Sequence, residues 1–494
     1  MTLIRTRTRA HKNRSSLAPY IFRCVLVALT IAMALIAGSF APLHAETLHM
    51  PPHEKIVLKN GLTVLLLVKH GVPLVNISTI VKAGAAADPS GQDGLASATA
   101  GLLRKGTKTR SAQQFAADLD YIGGSLETDA TSDYTVVNVE FLTKDLARGL
   151  ELYSDALLHP TFPEDETTKL LAQSVDAIRA AKDDPQSVAI PYYCGYLYGT
   201  HPYGRSASGD EISLTKIRRD DVAKFYDANY APSNTIIAIA GEFNSDEMKS
   251  KLEQTFGAWP ARAVKAEAIP PVTPSKGKRL LLVDKSDASQ VYFAIGNTGV
   301  NATDPDRTAI RVVNTIFGGR FTSELNEALR VESGYTYGAE SFFDDRKVAG
   351  PFAIFSFTKN ETTTPAIDLA LRVLAKLHKD GVTEEQLKSA KSYIKGQFPP
   401  NIETSRQLAR IIASHEFYGL GDDEVNQLEA RVDAVTPEVA RQVIQKHFPA
   451  ENLVFVLIGK ASAVGPAVKK YAATQDTRPI SDPGFWPAPV ASKK

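Results

Sequence analysis

His49 and His53 stand four residues apart, the spacing at which two imidazoles share one face of a helix and could hold a metal ion. Pro51 and Pro52 lie between them and prevent that helix, so the pair is not read as a metal site. His70, His159, His201, His378, His415 and His447 are scattered singly and read as satisfied surface or core groups. Cysteine chemistry is equally sparse. Cys24 falls in an apolar N-terminal run, which leaves Cys194, between Tyr193 and Gly195, without an intramolecular partner; it reads as a small buried hydrophobe. A different pair, Arg330 and Tyr337, brackets Gly334 and follows Gly318-Gly319. A guanidinium supplies a permanent charge and a phenol a directional hydroxyl, the donors that stabilise negative charge building on an oxygen. Taken as two isolated residues they read as readily as a helix-terminal cation and a core tyrosine beside Tyr335.

The elements that must present these side chains alternate between strand and helix. Residues 55–68 read as two strands joined at Asn60-Gly61, a favoured two-residue hairpin turn, and 72–81 continue as a third strand. Helices are expected over 94–105 and 111–122, the second capped by Ser111 and stopped by Gly123-Gly124. The alternating β-branched run 134–142 is a strand, while 144–158 and 164–182 carry apolar residues at helical spacing. A helix over 220–230, a strand over 234–241 and a helix from near Ser245 follow.

The same grammar then returns. A helix over 436–446 leads into a strand over 452–459, with Asn452 placed as Asn234 is, and the helix ending at Ile394 resembles the one ending at Ile178. The economical reading is an α+β fold of two similar halves, each an antiparallel sheet with helices packed mainly on one face. The halves span 46–265 and 279–465, joined by a Pro-rich linker at 266–278, and 466–494 is read as a tail lying on the surface.

Length and composition agree with a large folded body. At 494 residues, and about 100–200 residues per domain, two to four domains are expected. Lys+Arg 56 against Asp+Glu 55 gives no basic surface for nucleic acid, and 44% hydrophobic residues argue against disorder. Arg5, Arg7, Arg9 and Lys12 precede an apolar run over 24–37 and then small residues up to Ala45. Residues 1–45 therefore read as a secretory signal cut near Ala45, with no membrane span after cleavage; a large exported chain without disulfides suits a bacterial periplasm.

Residues 94–107, Gly-Leu-Ala-Ser-Ala-Thr-Ala-Gly-Leu-Leu-Arg-Lys-Gly-Thr, resemble the first active-site helix of the pitrilysin/insulinase-type (inverzincin) zinc peptidases. Supporting matches are Asn60-Gly61-Leu62, residues 82–88, Gly123-Gly124, and His201-Pro202-Tyr203-Gly204. In active members this helix carries H-x-x-E-H, two zinc-binding His and a Glu that activates water. Aligned on Gly-Leu-Ala and Lys-Gly-Thr, those positions are Ser97, Ala100 and Gly101, and the third ligand, a Glu on a later helix, falls at Ala177. The resemblance thus implies a degenerate site: no metal and no cofactor in this chain. Residues 317–337 resemble the family's substrate-facing segment, in which an Arg and a Tyr seven apart reach over the zinc; Arg330 and Tyr337 fit it. The family's substrate-binding Asn after Gly123-Gly124 is replaced by Glu127.

With the zinc half emptied and the substrate half retained, the resemblance implies a non-catalytic subunit of a periplasmic heterodimeric metallopeptidase. Its expected partner is a homologous zinc-bearing subunit with an intact H-x-x-E-H, and its substrate class is peptide. A peptide-binding homodimer without any proteolytic role is the alternative, and a single-chain metallopeptidase with unrecognised ligands is a third.

Overall fold

The computed structural model describes residues 49–265 and 268–485. The expected signal, 1–45, lies outside the described residues, as do 266–267 of the linker. No helix among the described residues is long and apolar enough to cross a membrane.

Among the described residues, twelve strands form two six-stranded sheets. The first sheet contains β1 (Glu54–Val57), β2 (Thr63–Val68), β3 (Leu74–Val81), β4 (Ser125–Ala130), β5 (Thr135–Leu142) and β6 (Thr235–Gly241). Its spatial order is β1-β2-β6-β3-β5-β4. The second contains β7 (Arg279–Asp284), β8 (Gln290–Thr298), β9 (Ala339–Phe343), β10 (Pro351–Lys359), β11 (Val454–Gly459) and β12 (Thr474–Pro479), in the order β12-β7-β11-β8-β10-β9. From the second place to the sixth the two orders correspond, which is the duplication expected from sequence; the first place holds β1, antiparallel to β2, in one sheet and β12, parallel to β7, in the other. The strands after Asn234 and Asn452, β6 and β11, occupy the same third place.

The sheets are mixed where antiparallel ones were expected. β6 runs parallel to β2, and β11 and β12 run parallel to β7. The reason is that β6 and β11 enter their sheets after long helical crossovers, which return the chain in its original direction. The first hairpin also differs in detail: β1 and β2 pair from Val57↔Thr63, so the loop is longer than two residues, with Gly61 at φ 90° and its N–H donating to Leu58 O.

Helices of eight residues or more are α1 (Leu95–Leu102), α2 (Ala112–Tyr121), α3 (Leu146–Leu158), α4 (Glu164–Ala181), α5 (Pro185–Tyr198), α6 (Arg219–Asn229) and α7 (Ser245–Phe256). The second half adds α8 (Arg307–Phe317), α9 (Thr363–Asp380), α10 (Glu384–Gln397), α11 (Ser405–Tyr418), α12 (Pro437–His447) and α13 (Ala461–Val468). Ser111 caps α2 in a full capping box with Gln114, as its position predicts.

Helices cover both faces of each sheet, not mainly one, because the halves exchange a helix. α5 packs on β11 and β8 of the second sheet, and α11 packs on β3 and β6 of the first. Alternate residues of each strand point to opposite faces. Leu280, Leu282 and Phe293 accordingly join the second half's own helices, whereas Leu281, Val283 and Ala294 face α5. In the first sheet, Leu65, Leu67, Ile80 and Ile236 cluster with Leu408, Ala409 and Ile412 of α11. The central strands β6 and β11 are buried along their whole length for this reason. The division at 265/279 therefore follows the sheets but not the helices.

The segment read as a surface tail is part of the second sheet. β12 hydrogen-bonds beside β7, and beyond it Phe485 is buried against Tyr192, ring centroids 5.2 Å apart. Lys182 Nζ, paired with Glu211, also donates to Asp482 O at 2.8 Å, and Gly484 N donates to Glu211 at 2.8 Å. A Pro-rich composition hid this strand: β12 is an edge strand, the one place where Pro479 costs no ladder hydrogen bond.

Candidate functional site

The positions read as degenerate, Ser97, Ala100, Gly101 and Ala177, sit on two packed helices. α1 starts at Gly94, whose φ of 94° requires glycine, and its first turn is held by Asp88, which accepts from Gly94 N and Ala96 N at 2.8 Å each. Ser97 and Gly101 lie four apart on one face of α1, both partly exposed, and Ala100 is fully buried. Ala177 is exposed on α4. Leu170 and Ala177, seven apart, share a face of α4, and that face meets α1: a Cβ placed on Gly101 would stand 3.0 Å from Leu170 Cδ1.

These residues do not fit zinc. The four positions offer one hydroxyl, that of Ser97, where three N or O ligands are needed, and Leu170 presses on the space an imidazole at 101 would enter. The nearest acid in sequence, Asp176, is exposed and pairs with Arg179 at 3.4 Å. Of the histidines read as satisfied groups, His447 Nε2 lies 2.8 Å from Asp306, which also accepts from Lys446 Nζ at 2.7 Å, and His70 Nδ1 lies 2.8 Å from Glu242; His53, of the excluded pair, lies 3.9 Å from Asp422. Asp304, Asp306 and His447 form the one group of three potential ligands among the described residues, but Lys446 already neutralises Asp306.

Arg330 and Tyr337 lie at the opposite end of the duplication. Residues Glu327–Glu332 are π-helical, and Gly334 at φ 65° turns the chain towards β9. Backbone and hydroxyl hydrogen bonds fix the loop. Tyr335 N donates to Leu329 O at 2.9 Å, Ser356 Oγ to Gly338 O at 2.8 Å, and Thr358 Oγ1 to Tyr335 O at 2.7 Å. Asn326 accepts from Ala339 N and donates to Phe321 O, bracing the two ends. On this rigid loop Tyr337 is 81% exposed, which excludes the core-filling role. Arg330 stacks on Phe321, itself 68% exposed, with Cζ 4.3 Å from the ring centroid. Among the described residues Arg330 makes no ion pair.

Sequence reading missed what holds Glu127. It lies on the edge strand β4, 3.7 Å from both Arg406 and Arg410 of the exchanged helix α11; Arg406 also pairs with Glu140 at 3.2 Å. The His201-Pro202-Tyr203-Gly204 segment is another joint between the halves. Tyr203 is fully buried, its hydroxyl donates to Asp133, and it accepts from Val348 N at 3.2 Å.

The fold is a duplicated α+β unit whose halves exchange a helix, with Ser97, Ala100, Gly101 and Ala177 on one half and the Arg330/Tyr337 loop on the other. The family model for insulinase (peptidase family M16) matches residues 63–211, and that for the peptidase M16 inactive domain matches 216–394. The chain belongs to this pitrilysin/insulinase family. It is 26% identical over 361 residues to an uncharacterized zinc protease of Mycobacterium leprae, covering 71% of this chain and 80% of that one. It is 23% identical over 426 residues to a non-peptidase homolog of Helicobacter pylori, covering 86% and 97%. Among solved structures it matches a peptidase M16 inactive domain from Pseudomonas fluorescens with a TM-score of 0.77 at 23% identity, over 86% of this chain and 99% of that one.

Proposed function

We propose that this chain is the non-catalytic subunit of a periplasmic heterodimeric metallopeptidase, and that it supplies Arg330 and Tyr337 to a zinc site on a homologous partner carrying H-x-x-E-H. The observation that carries the reading is the contrast between the halves. Ser97, Ala100, Gly101 and Ala177 leave no ligand set, while Tyr337 is held out to solvent on a loop fastened at five points, an arrangement that costs apolar burial and contributes nothing to this chain's core. Peptide hydrolysis builds negative charge on the former carbonyl oxygen, and preorganised donors aimed at it lower the barrier. Arg330, kept planar against Phe321, and the Tyr337 hydroxyl are such donors.

The test is to purify the chain with its zinc-bearing partner and assay peptide cleavage. Arg330→Ala and Tyr337→Phe should each lower kcat by about 10²–10³-fold while leaving the complex intact on a sizing column. If both variants cleave at the wild-type rate, the shared site is wrong. If the partner cleaves equally well without this chain, and the chain alone binds peptide as a homodimer, the binding-module reading replaces it.

A further inference from the structure

The segment after β12 fills a recess in the first half with more chemistry than packing requires. Lys182, at the C-terminal end of α4, and Glu211, in the turn before α6, form an ion pair whose side chains are 6% and 9% exposed. Each spends a further hydrogen bond on the backbone of one short stretch. Lys182 Nζ donates to Asp482 O at 2.8 Å, and Glu211 Oε2 accepts from Gly484 N at 2.8 Å. Tyr192 of α5 donates to Ile480 O at 3.4 Å. The Phe485 ring stands edge-on to Tyr192, centroids 5.2 Å apart, with Lys182 Nζ 5.5 Å from its own centroid.

A joint that needed only packing would be served at least as well by apolar residues. Taking two charges out of water costs more than their attraction returns unless further hydrogen bonds complete them. Here the completing groups are a carbonyl and an N–H two residues apart on one run of backbone, with a ring directly after. The recess therefore reads a peptide: an ammonium for a carbonyl, a carboxylate for an N–H, and an aromatic wall for a ring. It also reads glycine, because Gly484 sits at φ 81° and a Cβ there would lie 3.1 Å from Asp210 Oδ2. Ser481 and Pro483 are exposed and are not read.

None of these contacts depends on the segment being joined to β12. We infer that the recess is a peptide-recognition site, held shut here by the chain's own Asp482–Phe485, and that a segment of a partner protein carrying Gly followed by an aromatic residue takes it in trans. The site lies on α4, α5 and the turn at Glu211, and it does not rest on the Arg330/Tyr337 reading. Tethering gives the chain's own segment an effective concentration on the order of millimolar, so a partner enters only where that segment yields.

The probe is the hexapeptide Ile-Ser-Asp-Pro-Gly-Phe, fluorescein-labelled at its N-terminus and amidated at its C-terminus, titrated with the full chain and read by anisotropy. Full-length Phe485→Ala, whose own segment has lost the ring, should bind it at least about tenfold more tightly than the wild type does. On that variant, probes with Ala for the Phe or N-methylglycine for the Gly should bind at least about tenfold more weakly. The first lacks the ring and the second lacks the N–H that Glu211 accepts. Phe485→Leu, which keeps an apolar side chain without the ring, carries the same comparison if Phe485→Ala does not fold. The inference is overturned if the probe fails to bind either variant at millimolar concentration, if it binds wild type and variants alike, or if the altered probes bind like the parent. A wild-type chain that elutes as a dimer, and as a monomer once Phe485 is replaced, would place a second copy's segment in the recess and overturn the assignment to a different partner.

Discussion

Asp88 is 4% exposed and sits at the start of the helix that bears the degenerate positions. Burial outweighs its two backbone hydrogen bonds and pushes its carboxyl up to about 7, from an ordinary value of 3.8. Between those values the native protein holds a proton that the unfolded chain has released, so unfolding releases a proton and stability falls as pH rises through that window. Asp88→Asn keeps an acceptor and cannot titrate. The wild type should therefore lose stability relative to Asp88→Asn between about pH 4 and about pH 7, read as urea midpoints for both proteins at each pH. A difference that stays constant with pH would mean that Asp88 is ionised throughout. At this scale the sequence names candidates: Gly94-Leu-Ala and Lys105-Gly-Thr set the register from which Ser97, Ala100 and Gly101 are read, and Arg330 and Tyr337 are read from their spacing, while the exposure of Tyr337 was not legible. The packing of Leu170 against Gly101 was not legible, because it is a contact between two helices whose packing no local pattern reports.

Helix and strand types follow from periodicity, and the start of α2 from its cap, Ser111. Strand direction and helix partnership do not, since both depend on where a long crossover returns. No helix was read over 185–198, where α5 lies, so neither the helix nor its visit to the other sheet was legible. There Tyr193 and Tyr196 donate to Phe352 O and Leu280 O at 2.7 and 3.2 Å, and Tyr198 to Ala349 O at 3.1 Å. The Tyr193 contact requires a glycine opposite it. A Cβ on Gly296 would lie 2.0 Å from Phe352 O and 2.6 Å from the Tyr193 hydroxyl. Gly296→Ala should destabilise the protein by about 1–3 kcal/mol in denaturant titration, as overpacking does. Adding Tyr193→Phe should not rescue it, because the shorter approach is to backbone. A wild-type midpoint for Gly296→Ala would mean that neither Phe352 O of β10 nor the Tyr193 hydroxyl of α5 stands this close to position 296.

For the molecule as a whole, the helix exchange sets how the halves can come apart. Residues 261–265 and 268–278 contain neither helix nor strand, and Lys265, Lys276 and Lys278 are exposed there. Halves joined only by such a segment would separate once it was cut, as linked domains with small polar interfaces do. Here a cut leaves α5 lying on β8 and β11, and α11 lying on β3 and β6. Asp133 still accepts from Lys347 N at 2.8 Å and Tyr418 at 3.2 Å, and Arg406 and Arg410 still meet Glu127. Pulling the fragments apart would expose one face of each sheet, including Leu65, Leu67, Ile80, Leu281, Val283 and Ala294, and such an apolar area opposes separation strongly. Limited trypsin digestion should therefore give two fragments near the middle of the chain on a denaturing gel. On a non-denaturing sizing column they should still elute together at the intact volume, and they should unfold in one transition. Fragments that elute apart would show that the exchanged helices contribute little, and that each sheet folds with its own helices alone.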